Sequence, residues 1–425
     1  MNELQERLDE LKDLGLYRRL RMVSGPQGPR VVLDGKPVLL LCSNNYLGLA
    51  DHPRVREAAA DAAMRWGVGA GASRLVSGNM TLHRRLEERL AEFKGTEAAL
   101  LFGSGYLANM GVVQALAPKN SIVFSDELNH ASIVDGCRLA GAETFIYDHS
   151  DMDHLEWGLR RAEGRGSLIA TDGVFSMDGD VAPLQDIVEL ARDHGCRVMV
   201  DEAHGTGAIG PDGRGAVAEA GLEEEVDVIV GTLGKALGSY GAFVCCEQVT
   251  ARYLINTART LIFSTALPPM AAAAALAALD LLREQPRRVE KLQANAEVLR
   301  DELAHEGFEV AGASTQIIPL IVGDAHTAVQ VAEHALEMGV FASAIRPPTV
   351  PDGTSRIRLA VMASHSRAEL REAAQVLGRA CLKAGFRPSS VVPVAQAQAA
   401  AHHVPDSPGR VALFDGAAEG LRRAA

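Results

Sequence analysis

Short apolar runs alternate with amphipathic stretches through the middle of the chain. The apolar runs are rich in β-branched residues and have the length of buried strands. Helical periodicity fills most of the intervals, for example 151–163 and 183–194. This alternation predicts a mostly parallel sheet with helices on both faces. The seven predicted strands are 98–102, 121–125, 143–147, 167–171, 197–201, 226–231 and 242–246.

The pattern changes after Pro268, where longer helical periods predict a second, smaller α+β domain. Residues 3–21 predict a charged amphipathic helix, and the segment after Arg387 lacks a clear period. Beyond 268 the predicted helices are 268–285, 287–306, 326–338 and 367–384, and the predicted strands are 317–322, 340–346 and 356–361. We therefore expect an α/β protein with an N-terminal helix and arm (1–45), a large domain (46–285), a small α+β domain (286–386) and a mobile tail (387–425).

Length, charge and cysteine usage narrow the class of protein. At 425 residues the chain is too long for one simple core, which agrees with two domains. A formal net charge of −12 disfavours partners such as nucleic acid or an anionic membrane surface. The apolar segment 270–282 is short for a membrane span, and the charged N-terminus is not typical of a signal peptide. The six cysteines include no C-x-x-C pair, so we expect reduced thiols in a cytoplasmic protein.

Polar side chains follow two neighbouring apolar runs at the points where the predicted strands end. One run ends at Asp201, with His204 shortly after it, and the next is followed by Thr232 and Lys235. Ligands of open α/β sheets bind at the carboxyl ends of the strands, so these four side chains are expected to converge. A lysine amine together with a carboxylate suits pyridoxal 5'-phosphate, which needs a Schiff-base lysine and an acid at its ring nitrogen.

Lysine is scarce, which shortens the list of candidate amines. Only seven of the 42 basic residues are lysine, and most of these seven lie in polar or turn-like contexts. Lys235 alone follows an apolar strand and a glycine, where backbone can approach a ligand closely.

Other parts of a pyridoxal-phosphate site are present, and each has a structural alternative. Gly105 and Tyr106 lie in a Gly/Ser-rich strand-to-helix turn suited to a phosphate, although such turns are common in α/β proteins. His130 could stack on the cofactor ring or could serve the fold alone. Asp201 has a helix cap as its less favoured alternative, while Ser176 together with His204 could support the cofactor's phenolate oxygen.

Three further segments match known nucleotide- or phosphate-binding motifs only in part or out of context. The segment 205–210 matches G-x-G-x-x-G but is followed at once by Pro211, so it does not open a helix. Gly234-Lys235 lacks the first glycine and the Ser/Thr of a phosphate-binding loop. The segment D-E-A-H (201–204) matches a helicase motif by its letters, but without a phosphate-binding loop this match carries little weight. Neither H-E-x-x-H nor a Cys/His cluster occurs, and we expect no metal site.

The region from about 15 to 385 resembles the α-oxoamine synthases, a branch of the fold-type I pyridoxal-phosphate enzymes. The motifs that carry the resemblance are S-N-N-Y-L-G (43–48), L-N-H-A-S-I (128–133), D-G-V-F-S-M-D-G (172–179), V-D-E-A-H-G-T-G (200–207) and G-T-L-G-K-A-L-G (231–238). The resemblance implies an aminotransferase-like fold with a large seven-stranded sheet domain and a smaller domain. It also implies condensation of an amino acid with an acyl thioester, loss of carbon dioxide and release of an aminoketone.

Three more segments resemble the biotin-pathway branch of that family. They are G-A-S-R-L-V-S-G (71–78), L-I-F-S-T-A-L-P-P (261–269) and A-I-R-P-P-T-V-P (344–351). That branch joins L-alanine to a pimeloyl thioester, carried on coenzyme A or on a carrier protein. The alternatives are another α-oxoamine synthase, such as one joining glycine to acetyl-CoA, or a non-catalytic relative that binds the cofactor. The intact Lys235, Asp201 and His130 disfavour the non-catalytic relative.

The resemblance assigns a role to each matched position. The implied catalytic residues are Lys235 as the Schiff-base lysine, Asp201 as the acid at the pyridine nitrogen, and His130 as the stacking ring that also meets substrate. The implied further cofactor contacts are Gly105, Tyr106, Ser176, His204, Thr232 and Thr265, with Ser264 as the alternative to Thr265. Because the hydroxyl at 265 reaches the phosphate of the partner subunit in the family, a homodimer with shared active sites is implied.

Four implied substrate contacts lie near the two ends of the chain. Arg358, helped by Asn44, resembles the arginine that binds the amino acid's carboxylate. Thr349 matches a substrate-contact position, and Arg18 matches an N-terminal arginine near the acyl end. The Arg18 match is loose, since Arg19 and Arg21 lie beside it.

Overall fold

A computed structural model describes residues 2–310, 312–394 and 396–398. The chain forms two compact units. The large unit comprises Asn45–Ser176 and Asp180–Leu292, and the small unit comprises the described residues within Met1–Asn44, Met177–Gly179 and Gln293–Ala425. Among the described residues, no helix is both long and apolar enough to cross a membrane.

The strands and helices alternate as the hydrophobic pattern predicts. The strands are β1 (Val23–Ser24), β2 (Arg30–Leu33), β3 (Lys36–Leu40), β4 (Ala98–Phe102), β5 (Ile122–Asp126), β6 (Glu143–Tyr147), β7 (Gly166–Asp172), β8 (Arg197–Asp201), β9 (Val228–Thr232), β10 (Ala242–Cys246), β11 (Ile317–Gly323), β12 (Val340–Phe341), β13 (Ser343–Ile345) and β14 (Ser355–Ala360). The helices are α1 (Asn2–Asp13), α2 (Pro53–Trp66), α3 (Thr81–Lys94), α4 (Gly105–Leu116), α5 (Ala131–Ala140), α6 (Met152–Arg161), α7 (Leu184–His194), α8 (Ala216–Ala220), α9 (Gln248–Thr257), α10 (Arg259–Ile262), α11 (Pro269–Glu284), α12 (Arg287–His305), α13 (Ala325–Glu337) and α14 (Arg367–Lys383).

The large unit is built on one seven-stranded sheet in the order β4-β10-β9-β8-β7-β5-β6. All neighbouring pairs are parallel except those of β10, which runs antiparallel to β4 and β9. The interior of the sheet is fully buried, as at Val123, Leu168, Met199 and Val228. Strands buried on both faces need continuous apolar runs, which is why the sequence pattern located them. The prediction of a mostly parallel seven-stranded sheet is confirmed.

Side-chain caps fix where several helices begin. Ser104 accepts a hydrogen bond from the Leu107 amide at the start of α4, and Asp324 does the same for α13 through Thr327. At α14, Ser366 and Glu369 form a reciprocal capping box. These caps satisfy amides that would otherwise have no partner in the first helical turn.

The small unit contains two short sheets. One has the order β1-β2-β3-β12, and the other has the order β11-β14-β13. The single strand-like run predicted at 340–346 is therefore wrong in one respect, because it divides between the two sheets. Val340 pairs with Leu39 of β3, whereas Ser343 pairs with Arg358 of β14. The apolar pattern is the same on both sides of the division, so it could not reveal the change of partner.

The first helix is shorter than its predicted span of 3–21. It ends at Asp13, and Gly15 follows with a φ of 66°, in the left-handed region that favours glycine. The amide of Leu16 then bonds to the carbonyl of Leu11 at 2.8 Å, which closes the helix end. The arginines that follow are therefore presented from irregular backbone.

The beginning of the predicted mobile tail is packed. The Val392 amide bonds to the Ile321 carbonyl at 3.2 Å, and Val394 and Ala397 are buried in a small cluster with Ile321. Burial of these apolar side chains orders the segment that follows Arg387. The prediction for residue 395 and for 399–425 lies outside the described residues.

A buried ion pair in the small unit yields a stability prediction. Arg356 and Asp178 are 3% and 4% exposed, and the guanidinium also donates to the Thr354 carbonyl at 3.0 Å. Asp178→Ala would leave a buried cation without its counter-charge, so we expect a loss of about 3–5 kcal/mol in the free energy of unfolding. Urea unfolding measures this loss.

The matched control is Arg371→Ala, which removes an exposed partner of Glu302 and should change the unfolding midpoint little. Equal effects of Asp178→Ala and Arg371→Ala would contradict the prediction.

Candidate active site

Four parallel strands of the large sheet end in polar residues at the same edge. These residues are Asp126 of β5, Asp172 of β7, Asp201 of β8 and Thr232 of β9. Asp172 and Asp201 are direct partners across the β7–β8 pair. The carboxyl edge of the sheet therefore brings several buried polar groups together, as open α/β sheets do at their ligand sites.

Lys235 lies at this edge in contact with an imidazole. Its Nζ is 2.7 Å from Nε2 of His204, and Nδ1 of the same ring is 2.6 Å from the hydroxyl of Tyr46. Tyr46 is completely buried. When Lys235 is the ammonium it can only donate, so Nε2 accepts from it and Nδ1 then carries the proton that is donated to the tyrosine oxygen. The amine is thus held at the end of a fixed chain of three polar groups.

The backbone after β9 holds Lys235 in place. Thr232 Oγ1 donates to the Gly241 carbonyl at 3.1 Å and accepts from the Gly234 amide at 3.2 Å. Gly238 closes the turn by donating to the Lys235 carbonyl at 3.0 Å, and its φ is 59°. A side chain at Gly238 would meet the backbone of Ala50 at 2.4 Å, so this position needs glycine.

Asp201 is buried and oriented by two donors. Asn109 Nδ2 donates to Oδ2 at 2.6 Å, and the Ala203 amide donates to Oδ1 at 2.8 Å. Asn109 also donates to the Ser132 hydroxyl at 2.8 Å. Asn109 could not be identified from sequence, because its contact with Asp201 spans 92 residues.

Asp172 is a site residue that the sequence analysis overlooked. It is buried, and its Oδ2 accepts the His130 amide at 3.2 Å. Burial, and then the charge of neighbouring Asp201, raise the pKa of Asp172 well above its usual range. The sequence signal that identified Asp201, an aspartate directly after an apolar run, also applies to Asp172. Burial and the neighbouring carboxyl group therefore favour the protonated form of Asp172.

His130 follows β5 and caps α5. Its Nδ1 is 2.7 Å from the Ser132 hydroxyl, and its ring meets Tyr106 edge-on with 6.4 Å between the centroids. Burial of the ring among its neighbours lowers the pKa of His130, although the residue keeps one exposed side. The imidazole is therefore neutral at pH 7 and can present a flat, uncharged face.

The Gly105-Tyr106 turn opens α4 shortly after the carboxyl end of β4. A Cβ atom placed on Gly105 would meet nothing within 4 Å, so a ligand has room to approach the backbone there. Tyr106 donates its hydroxyl proton to Asp135, which raises the pKa of Tyr106. Helix N-terminal amides of this kind bind phosphate groups.

The remaining predicted positions of the large unit lie on two further segments. Ser176 is buried in a hairpin that follows β7. Thr265 is exposed and forms an antiparallel bridge with Ser73 of the glycine-rich loop. Within the described chain, no group of three or more His, Cys, Asp or Glu side chains could hold a metal ion.

The small unit carries four of the five predicted substrate contacts, and the fifth, His130, lies in the large unit. Arg358 of β14 is buried, and its guanidinium donates to Asn44 Oδ1 at 3.3 Å. Arg18 donates to the Pro347 carbonyl at 3.1 Å, and the Thr349 amide donates to the Arg346 carbonyl at 3.1 Å in the same turn. The structure thus joins Arg358 with Asn44, and Arg18 with the turn that carries Thr349.

This set of groups fits pyridoxal phosphate. The large unit supplies a half-buried amine, a buried carboxylate, a neutral imidazole face and a helix N-terminus. These are the groups that bind the carbonyl carbon, pyridine nitrogen, ring and phosphate of that cofactor.

Comparison with known proteins identifies the family. Residues 36–377 match the family described as Aminotransferase class I and II. The chain is 52% identical to 8-amino-7-oxononanoate synthase of Citrifermentans bemidjiense over 388 residues, which is 91% of this chain and 100% of that protein. It is also 52% identical to the enzyme of the same name from Geobacter sulfurreducens over 375 residues, 88% of this chain and 96% of the relative.

Solved structures agree with this relationship. Serine palmitoyltransferase from S. paucimobilis, with a bound PLP–myriocin aldimine, superposes with a TM-score of 0.86 at 32% identity, covering 90% of this chain and 98% of that chain. An 8-amino-7-oxononanoate synthase from Francisella tularensis superposes with a TM-score of 0.71 at 26% identity, covering 82% and 99%.

The protonated state of Asp172 can be tested through the pH dependence of stability. An aspartate with a raised pKa takes up a proton on folding, so its contribution to stability is lost as the pH rises above the ordinary value of 3.8. Asp172→Asn removes this titration. The variant should gain stability relative to wild type by about 1.4 kcal/mol per pH unit until the pKa of the folded state is reached.

Urea unfolding of the cofactor-free protein between pH 5 and pH 9 provides the measurement. The control is Asp186→Asn, at an exposed position of α7, which should show a constant difference from wild type. A constant difference for Asp172→Asn would contradict the prediction.

Proposed function

Because the chain belongs to the class I and II aminotransferase family, and within it to the 8-amino-7-oxononanoate synthases, we propose that it joins L-alanine to a pimeloyl thioester. The products are 8-amino-7-oxononanoate, carbon dioxide and a free thiol, as a step of biotin biosynthesis. The chain is a pyridoxal-phosphate-dependent acyltransferase. The observation that carries the proposal is the Lys235–His204–Tyr46 chain, which lies beside buried Asp201 at the carboxyl edge of the sheet.

The cofactor would be held by residues of the large unit. Lys235 would bind its carbonyl carbon, Asp201 its pyridine nitrogen and His130 its ring face. The phosphate would meet the first turn of α4 at Gly105 and Tyr106, with further contacts from Ser176, His204 and Thr232. When bound, pyridoxal phosphate withdraws electrons from the amino acid's Cα, which makes loss of a proton and later of carbon dioxide possible there.

Lys235 serves as the base that takes the Cα proton of alanine and later returns a proton to the product. Nε2 of His204, 2.7 Å from Nζ, can accept a hydrogen bond from the protonated amine. Tyr46 fixes the other ring nitrogen, so the imidazole keeps the orientation in which Nε2 faces the lysine.

Arg358 binds the carboxylate of alanine. A guanidinium can bind a carboxylate through two parallel hydrogen bonds and so fix its orientation. The Asn44 contact at 3.3 Å limits rotation of the Arg358 head group. Orientation matters here, because the bond to be broken must align with the cofactor's π system.

The acyl chain's distal carboxylate is assigned to Arg18 rather than to its neighbours. Arg21 pairs with Asp34 and Glu333, and Arg19 also contacts Glu333. Arg18 donates only to backbone carbonyls and has no acidic partner among the described residues. It is therefore the arginine of the three whose charge is left for an anion.

Arg346 strengthens this assignment. Its guanidinium donates to the Gly15 carbonyl, and its Nε is buried without a hydrogen-bond partner among the described residues. Burial, and then the charge of Arg18, lower the pKa of Arg346. Two guanidinium groups beside one another without a carboxylate favour an anionic ligand next to Thr349.

The active sites are proposed to be shared in a homodimer. Thr265 and Ser73 bridge two exposed segments that also carry Leu75, Val76 and Phe263, which are 55%, 79% and 71% exposed. Large apolar side chains exposed together are typical of an interface. We assign this surface to a second copy of the chain, with Thr265 reaching the partner's cofactor phosphate in a cytoplasmic enzyme.

The role of Lys235 can be tested by its removal. Lys235→Ala should keep the circular dichroism spectrum of the fold and lose the visible absorbance of bound cofactor. Thiol release should fall by at least roughly 10²- to 10⁴-fold, since the general base is lost. Lys119→Ala, at an exposed turn, is the control and should behave like wild type. Normal turnover by Lys235→Ala would overturn the mechanism.

Substrate choice can be tested by thiol release from pimeloyl, acetyl and palmitoyl thioesters with alanine, glycine and serine. Alanine with the pimeloyl thioester should be the preferred pair. A preference for glycine with acetyl-CoA, or for serine with palmitoyl-CoA, would assign the chain to another α-oxoamine synthase activity.

Arg18→Ala should raise the KM for the pimeloyl thioester by about 10- to 100-fold, because a hydrogen bond to a charged group contributes about 1.5–3 kcal/mol. The KM for alanine should stay unchanged. Arg19→Ala is the matched control, since Arg19 contacts Glu333. Equal effects of the two variants on the thioester KM would contradict the assignment.

A further inference from the structure

A buried histidine bridges two aspartates next to the candidate active site. His149 Nδ1 is 2.9 Å from Asp126 Oδ1, and its Nε2 is 2.7 Å from Asp180 Oδ2. The His149 side chain is 3% exposed. Asp126 ends β5, His149 follows β6, and Asp180 lies in the hairpin after β7, so the cluster ties together the ends of three adjacent strands.

The ring is an imidazolium at neutral pH. Burial alone would lower its pKa, but the hydrogen bonds and charges of Asp126 and Asp180 raise the pKa of His149 to about 10. Glu127 adds negative charge by accepting the His149 backbone amide at 3.2 Å, while Asp148 pairs with His154 nearby. With both ring nitrogens protonated, the histidine donates to both carboxylates at once.

Asp126 is the fixed side of this bridge. Its two oxygens accept the backbone amides of Leu128 and Ser150, both at 2.9 Å. Asp180 depends more on the histidine, because its Oδ1 is buried without a hydrogen-bond partner among the described residues. Loss of the imidazolium would leave the Asp180 carboxylate poorly compensated.

The histidine also supports the hairpin by ring packing. Phe175 is buried and meets the His149 ring edge-on at 4.4 Å between the centroids. The Phe175 amide donates to the Asp180 carbonyl at 3.0 Å, and Val174 pairs with Val181 across the hairpin. His149 therefore contacts both strands of the hairpin.

Ser176 directly follows Phe175 in this hairpin. We propose that His149 is a positioning residue for the cofactor site, which holds the 173–182 hairpin so that Ser176 meets pyridoxal phosphate. The inference rests on the proposed function for the identity of the cofactor and for its contact with Ser176. In this role His149 acts through Asp180 and Phe175.

The test measures the dissociation constant of pyridoxal phosphate by titration of the cofactor-free protein, without substrates. His149→Gln, Ser176→Ala and the double variant form a cycle. His149→Gln should weaken cofactor binding roughly tenfold or more, as expected when a hydrogen bond to a charged group is lost. In the Ser176→Ala background the same change should add less than about twofold, because the affected contact is already absent.

His154→Gln is the matched control, since His154 pairs with Asp148 on the same segment and should leave cofactor binding unchanged. If His149→Gln fails to fold, Asp180→Asn keeps the hairpin's shape, weakens the same bridge and replaces it in the cycle. An unchanged dissociation constant in the single variant overturns the proposal. An equal effect in both backgrounds, or no effect of Ser176→Ala, also overturns it.

This outcome is separable from that of the proposed function. Alanine and the thioester take no part in the cofactor titration, so a wrong substrate assignment alters thiol release and leaves the cycle unaffected. Conversely, thiol release from alanine and the pimeloyl thioester, combined with equal effects of His149→Gln in both backgrounds, would reject only the role of His149.

Discussion

Three carboxyl groups buried at one edge of the large sheet set the central constraint on this structure. Asp126, Asp172 and Asp201 end three neighbouring strands, and the parallel register places Asp172 directly beside Asp201. Buried carboxylates are costly unless each is compensated. The fold compensates them in three ways, with the His149 imidazolium for Asp126, a raised pKa that favours the protonated form of Asp172, and amide donors for Asp201.

Of the pair Asp172 and Asp201, Asp201 is the residue suited to bind a ligand. Fixed hydrogen-bond donors orient both of its oxygens. The raised pKa of its neighbour Asp172 favours the neutral form there, which lessens charge repulsion between the two carboxyl groups. Lys235 supplies the opposite charge at the same edge, held by His204 at 2.7 Å. The chemistry assigned to the site therefore depends on how protons are distributed among buried groups that the sheet has already brought together.

Local signals made much of this architecture predictable. The strands followed from continuous apolar runs, and Asp201 and Lys235 followed from their positions after two such runs. What the sequence could not show was pairing over long separations. Tyr46 lies 158 residues before His204, and Asn109 lies 92 residues before Asp201. The roles of the individual site residues stay predictions, because they rest on sequence motifs and geometry and not on a measured activity.

The pKa values of two buried histidines are shifted in opposite directions by their surroundings. Burial lowers the pKa of His365 to about 4, so its contribution to stability is lost as the pH falls below the ordinary value of 6.5. His149 has a pKa raised to about 10, so its contribution is complete below 6.5 and is lost as the pH rises through 10. These two histidines therefore favour the folded state most strongly near neutral pH. Alkaline conditions remove the charge of the His149 imidazolium, which holds the 173–182 hairpin. Acidic conditions instead protonate buried His365 in the small unit.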